Sequence, residues 1–488
     1  MNWKAVVKIL GKIFLAEAAM LLLPIAVAAI CGEDTYIGFL LPMAILVMMA
    51  IPTFFLRAEG EEKKIYAKEG FAIVAFAWLA MSVIGALPYV ITKDIPNYID
   101  ALFETISGFT TTGASVLTEI EALHKSVLFW RSFTNWIGGM GVLVFVLAIL
   151  PKENSGIIHA FRAEATGPNV GKLTSKMGRT ARILYAIYIA FTLLEMLLLW
   201  LGKMPFFDAI TTAFANAGTG GFSVRNASIA AYDSIYIEIV ISVFMFIFSI
   251  NFNLYFLILT GHVLKALKSE EAIAFTGMVV VCIFAIALNI YFASVEAVRT
   301  FGDAMRYSSF QVLSLSSTTG FSSIDYNAWP TLSQGILLFL MVTGGMAGST
   351  AGGIKMSRFL ILIKSTAADI RKMIHPREVV TVKLEGEPVQ DSTVNNVRTF
   401  FVTWVAILIV STLLLSIEMG SDWDFLSNFS ASLSCVSNIG PGFNMVGPAA
   451  NFGGYGYFSK IILSLEMLFG RLEIFPLMVL FSPATYRK

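Results

Sequence analysis

Four short stretches of this chain carry residues suited to one kind of chemistry. They read Thr111-Thr112-Gly113-Ala114, Thr219-Gly220-Gly221-Phe222, Thr318-Thr319-Gly320-Phe321 and Asn438-Ile439-Gly440-Pro441. The central glycines lie 108, 99 and 120 positions apart (113 to 221, 221 to 320, 320 to 440). Glycine permits backbone angles that turn carbonyls inward without a Cβ clash. A ring of backbone carbonyls on one axis replaces the hydration shell of a potassium ion. The expected filter residues are therefore Thr111, Thr112, Gly113, Thr219, Gly220, Gly221, Thr318, Thr319, Gly320, Asn438, Ile439 and Gly440, with potassium held by their backbone carbonyls. A lone glycine near a membrane turn is an ordinary packing residue; four with matching neighbours argue for a repeated site.

A second glycine-rich run, residues 343–355, packs five glycines into ten positions: Gly344, Gly345, Gly348, Gly352 and Gly353. Each costs a helix up to about 1 kcal/mol against alanine. The run predicts a broken helix with an intramembrane loop just inside the filter, able to block a pore and move aside. Close helix packing on small residues is the competing reading. Lys355 ends this run, and Arg471 lies inside the last apolar segment. An intramembrane charge is costly and marks function. Arg471 could form an electrostatic barrier below the filter, or pair with Glu466 or Glu473. The run nearly matches a phosphate loop, but Ile354 separates Gly353 from Lys355 and no strand precedes it.

The elements that must position these residues are membrane helices. The chain has 488 residues, 57% hydrophobic and 14% charged, with mean hydropathy +0.75. That composition belongs to a polytopic membrane protein. A net charge of +1 gives no reason to expect a nucleic-acid partner. Cys31, Cys282 and Cys435, and the four histidines, are too scattered for a metal or disulfide framework. The N-terminal apolar stretch reads as a retained first helix, not a cleaved signal. Ten spans are expected, at 13–31, 36–56, 71–92, 132–151, 183–202, 239–261, 272–295, 331–363, 399–417 and 461–486. About 24 of the 34 basic residues fall on the side of the termini, which places both termini in the cytoplasm.

Before each tetrad sits a moderately apolar stretch of 10–14 residues, such as 101–109 or 209–217, too short to span. These fit re-entrant pore helices whose C-terminal, partly negative ends point at the axis. Near their starts stand Asp100, Asp208, Asp303 and Asp424. Two readings compete: helix N-capping, and an outer mouth that concentrates cations. The predicted fold is all-α: four pseudo-symmetric units of span, pore helix, filter loop and span around one pore. Residues 1–60 add two extra helices, and the units cover 61–182, 183–268, 269–393 and 394–488. Repeats of one orientation argue against an ion-coupled carrier of organic solutes built from inverted repeats. No nucleophile–base pair or metal cluster suggests an enzyme.

Together, the four tetrads, the glycine-rich break and the late arginine resemble the Trk/Ktr/HKT potassium-transporter superfamily, along essentially the whole chain. Two extra N-terminal spans and the length resemble its TrkH branch. The resemblance implies potassium uptake across the bacterial inner membrane through one pore per subunit, a homodimer, and regulation by a cytosolic nucleotide-binding ring protein of the TrkA type. It assigns Gly113, Gly221, Gly320 and Gly440 as filter glycines, Gly344–Gly353 as the gating loop and Arg471 as the pore-facing arginine. Asn438-Ile439-Gly440-Pro441 departs most, lacking the threonines, so an asymmetric filter is expected. No cofactor is implied; potassium is the transported ligand.

Overall fold

A computed structural model describes residues 1–56, 67–141, 177–295, 297–418, 423–481 and 483. The inner half of the expected 132–151 span and most of the polar loops at 57–70 and 152–182 lie outside the described residues. The described chain is helical, apart from one antiparallel pairing of β1 (Lys383–Leu384) with β2 (Glu387–Pro388).

Helices α1 (Trp3–Met20) and α2 (Leu22–Cys31) form one apolar stretch of 29 residues, and α3 (Tyr36–Phe54) packs back against α1. Four similar units follow. The first contains α4 (Ala67–Gly85), α5 (Leu87–Ile91), the short α6 (Tyr98–Phe109) and α7 (Lys125–Gly139). The second contains α8 (Met177–Leu201), the short α9 (Phe206–Ala217), α10 (Ile235–Ser249), α11 (Phe252–Leu259) and α12 (Val263–Leu267). The third contains α13 (Glu270–Phe292), the short α14 (Phe301–Ser316), α15 (Thr331–Thr343) and α16 (Met356–Ile374). The fourth contains α17 (Asp391–Glu418), the short α18 (Phe425–Ser437), α19 (Tyr457–Arg471) and α20 (Phe475–Phe481).

The helix that follows each loop (α7, α10, α15 and α19) stops at a comparable place, which changes three of the expected spans. Among the described residues, six helices are long and apolar enough to cross a bilayer, or seven if the bent pair α10–α11 is one span. That pair, read from sequence as a straight 239–261 span, bends by 89°. Asn251 makes the break by accepting from Asn253 N at 2.9 Å, which caps α11. The 331–363 segment breaks after Thr343, as its glycines predict, and Gly344 takes φ +64°. The 461–486 segment breaks after Arg471, where Glu473 and Ile474 adopt φ +55° and +65°. Residues 364–398 comprise the end of α16, the β1–β2 turn and the start of α17.

Each of the four short helices has at least half of its residues buried. Their inner faces are polar: Thr105, Ser107, Thr211, Asn216, Ser314, Ser316, Ser430 and Ser434 are all fully buried. A buried polar face needs internal hydrogen-bond partners; the loops that follow supply them to Ser314 (Phe321 O), Ser430 (Phe443 N) and Ser434 (Gly440 O), while Thr105 and Thr211 bond carbonyls of their own helices.

Candidate functional site: four loops closed in a ring

Each short helix ends in the same local structure. Thr111, Thr219, Thr318 and Asn438 all lie in the left-handed region, with φ of +56°, +56°, +58° and +54°. The next residue then bonds back across the helix end. Thr112 N donates to Ser107 O at 2.9 Å and Gly220 N to Ala215 O at 2.8 Å. Thr319 N donates to Ser314 O at 2.9 Å and Ile439 N to Ser434 O at 3.0 Å. This is the Schellman cap, whose left-handed position glycine normally fills. A β-branched residue there is strained by about 1–2 kcal/mol. Threonine at three of four such positions is a threefold-repeated outlier.

The glycines complete the turn. Gly113, Gly221, Gly320 and Gly440 take φ of +79°, +67°, +80° and +108°, while the residues between do not, so the sign of φ alternates along each loop. The loops then interlock in chain order. A Cβ on Gly113 would lie 1.9 Å from Gly220 O, and one on Gly221 1.9 Å from Thr319 O. On Gly320 it would lie 2.1 Å from Ile439 O, and on Gly440 2.8 Å from Thr112 O. The fourth loop thus returns to the first, and only glycine tolerates these approaches.

A second set of ties runs just beyond the glycines. Arg131 Nη1 donates to Ser223 O at 2.7 Å, and Ile229 N to Ser322 O at 3.1 Å. Tyr326 Oη donates to Gly442 O at 2.8 Å, and Phe452 N to Ser115 O at 2.8 Å. Each carbonyl sits two residues after one of the four ring glycines, and each donor comes from the preceding unit. All four glycines line one cavity of about 180 Å3.

Side chains repeat the pattern and then break it. Thr110 and Thr112 hydroxyls bond at 2.8 Å, as do Ser317 and Thr319. The fourth loop keeps the backbone but uses an amide: Asn438 Nδ2 donates to Thr112 Oγ1 and to Met467 O, both at 2.9 Å.

The four aspartates stand at the starts of the short helices, and none lines that cavity. Asp100 pairs with Lys460 Nζ at 2.6 Å. Asp208 accepts from Arg225 Nε at 3.1 Å and Tyr232 Oη at 2.8 Å. Asp303 forms a capping box, accepting from the Thr300 hydroxyl and N–H, both at 2.9 Å, which holds its carboxyl below the usual range. At Asp424, burial pushes the carboxyl up, but the Ser427 hydroxyl and N–H and the Asn444 amide outweigh it and hold it low.

The glycine-rich run 344–355 is irregular and lies against the ring. Gly352 N donates to Thr318 Oγ1 at 2.6 Å, and Gly353 N to Ser437 O at 2.9 Å. Gly348 O accepts from Phe252 N at 3.0 Å, and Met346 N donates to Ser249 O at 3.0 Å. Gly345 O accepts from Met356 N at 2.9 Å, and Lys355, buried at φ +79°, bonds Ala351 O. Arg471 donates to Thr350 O at 3.0 Å and to Gly138 O and Gly139 O at 2.5 and 2.7 Å. Glu473 pairs with Arg358, and Glu466 accepts from Ser432 Oγ at 2.5 Å.

Two residues of the site escaped the sequence reading. Arg131 is buried inside α7 and paired with Glu104 of α6 at 2.6 Å. Glu271 accepts from Ala347 N at 2.8 Å and Ser357 N at 2.9 Å, fastening both ends of the glycine-rich run. An acid inside the apolar stretch 101–109 was a signal for the first.

The family model of the TrkH cation transport proteins matches residues 42–486. The chain belongs to the TrkH family. It is 34% identical to the Trk system potassium uptake protein TrkH of Salmonella typhimurium and 35% identical to that of Escherichia coli K12, covering all of each chain. It is 32% identical to the TrkG protein of Escherichia coli K12 over 86% of both chains. The crystal structure of the potassium transporter TrkH from Vibrio parahaemolyticus superposes over the full length of both chains with TM-score 0.88 at 32% identity. TrkH-family proteins are named for transport, and the chain is a helical, polytopic membrane protein and not an enzyme.

Proposed function

We propose that this chain takes up potassium across the bacterial inner membrane through the ring of four loops. The observation that carries the reading is the repeated Schellman cap with alternating φ, closed head to tail within one chain. Carbonyls of Thr111, Thr219, Thr318, Asn438 and their neighbours replace the water around the ion. The C-terminal ends of α6, α9, α14 and α18 converge there and favour a cation. The run 344–355 is the gate: bonded to Thr318 and to Ser437 O, it closes the path beneath the ring. Arg471 holds that closed form through Thr350 O and adds a positive barrier. Both termini are cytoplasmic, the molecule works as a homodimer, and a nucleotide-binding subunit of the TrkA type pulls the gate from the cytoplasmic side.

The deciding experiment is cation flux into proteoliposomes under an imposed voltage, with and without the cytosolic subunit. Uptake ordered potassium and rubidium above sodium and lithium supports the reading. Absence of flux in both conditions rejects it.

A further inference from the structure

The four ties beyond the glycines are equivalent in place but not in chemistry. Three use neutral donors: Ile229 N, Tyr326 Oη and Phe452 N. The tie between the first and second units alone uses a charge, Arg131. Its guanidinium makes four contacts at once. Nε bonds Glu104 Oε1 at 2.6 Å, Nη1 bonds Ser223 O at 2.7 Å, Cζ lies 3.8 Å from the Phe222 ring centroid, and Arg131 helps to line the cavity of the four glycines. Glu104 in turn accepts from Ser115 Oγ and Val116 N, both at 3.0 Å. One ion pair thus grips the residues two positions past Gly113 and two positions past Gly221.

Both partners are withdrawn from solvent, Arg131 at 2% and Glu104 at 0% exposure. A buried pair of this kind is poor evidence of stabilisation for its own sake, because desolvation offsets the attraction. The other units manage without it. At the position of Glu104, counted from the left-handed residue, they carry Thr212, Gln311 and Ala431. At the position of Arg131, counted from the helix start, they carry Ile241, Leu337 and Leu463, all fully buried. The fold needs only an apolar residue there.

We propose that Arg131, neutralised by Glu104, is a positioning residue that sets the spacing of the first two filter loops and thereby the cation selectivity. This rests on the potassium-uptake reading above. The planar fork reaches Glu104 and Ser223 O together, which a lysine ammonium cannot match. Glu104 also cancels a positive charge that would otherwise face cations at the outer cavity.

The test uses the full-length protein in proteoliposomes, with its folding checked by size exclusion and thermal melting. Arg131→Lys is expected to lower the potassium-to-sodium permeability ratio by about tenfold, the order of one lost charge-assisted hydrogen bond. Glu104→Gln is expected to weaken the apparent potassium affinity by about tenfold at low ionic strength, with little recovery in added salt because the bare guanidinium is buried. Either single change risks misfolding, so Glu104→Gln with Arg131→Met removes both charges. That double variant should regain low-salt affinity without regaining the permeability ratio. A folded double variant with the wild-type ratio overturns the proposal. In parallel, potassium-specific thermal stabilisation of the detergent-solubilised protein reads filter binding without flux. Wild-type protein lacking both flux and this stabilisation rejects the uptake reading, and this inference with it. Wild-type selectivity retained in folded Arg131→Lys rejects the inference alone.

Discussion

At the scale of single residues, the proposed filter is a problem of backbone reach. Gly113 sits at φ +79° with a neighbouring carbonyl where its Cβ would be. Gly113→Ser therefore forces the first and second loops apart. The potassium-to-sodium permeability ratio should fall at least roughly tenfold, since a shift of about 1.4 kcal/mol in relative binding is that large. Bi-ionic reversal potentials measure it, and an unchanged ratio would sink the filter assignment. Thr318 does a second job by accepting from Gly352 N. Thr318→Val keeps the shape and removes the acceptor, which costs the closed gate about 1–3 kcal/mol. Flux through the folded variant should rise; equal or lower flux would show that this bond does not hold the gate. The repeated loops were legible because glycine and threonine recur at similar spacing. The ties that brace them were not, because backbone N–H groups and one tyrosine hydroxyl carry no pattern along a chain. Asn438 shows the limit well: its type differs from the threonines, yet its backbone matches theirs and its amide reaches the first loop.

At the scale of elements, the interruptions matter more than the helices. Hydropathy reads Asn251 as one polar residue in an apolar window and runs straight through the bend. The glycine-rich third break was legible since five glycines cannot sit quietly in a helix. The Glu473–Ile474 break was not, because positive φ at those types has no compositional sign. Arg471 closes the last helix before that break and holds carbonyls from two other elements. Arg471→Ala should raise flux, roughly tenfold or more if it contributes even 1.4 kcal/mol to closure, and rubidium uptake would reveal it. The β1–β2 turn offers another lever. Glu385 accepts from Ser269 Oγ at 2.7 Å, Glu270 N at 3.1 Å and Glu271 N at 3.2 Å, capping the first turn of α13, from which the Glu271 carboxylate reaches the proposed gate. Glu385→Ala should destabilise that helix start by about 0.5–2 kcal/mol. Faster hydrogen exchange at amides 345–357 would register the coupling; unchanged protection there would separate the turn from the gate.

At the scale of the whole molecule, four units close a ring that no single unit can make, and the fourth unit's Gly440 meets the first unit's Thr112 O within the same polypeptide. The proposed pathway is therefore complete in each copy, whatever number of copies associate. Genetics should feel this. A channel assembled from four separate subunits is silenced when one defective copy joins it, so its damaging alleles are dominant. Here a chain with a broken filter removes only its own share of uptake, and a cell carrying both alleles should keep about half its capacity, the arithmetic of independent pathways.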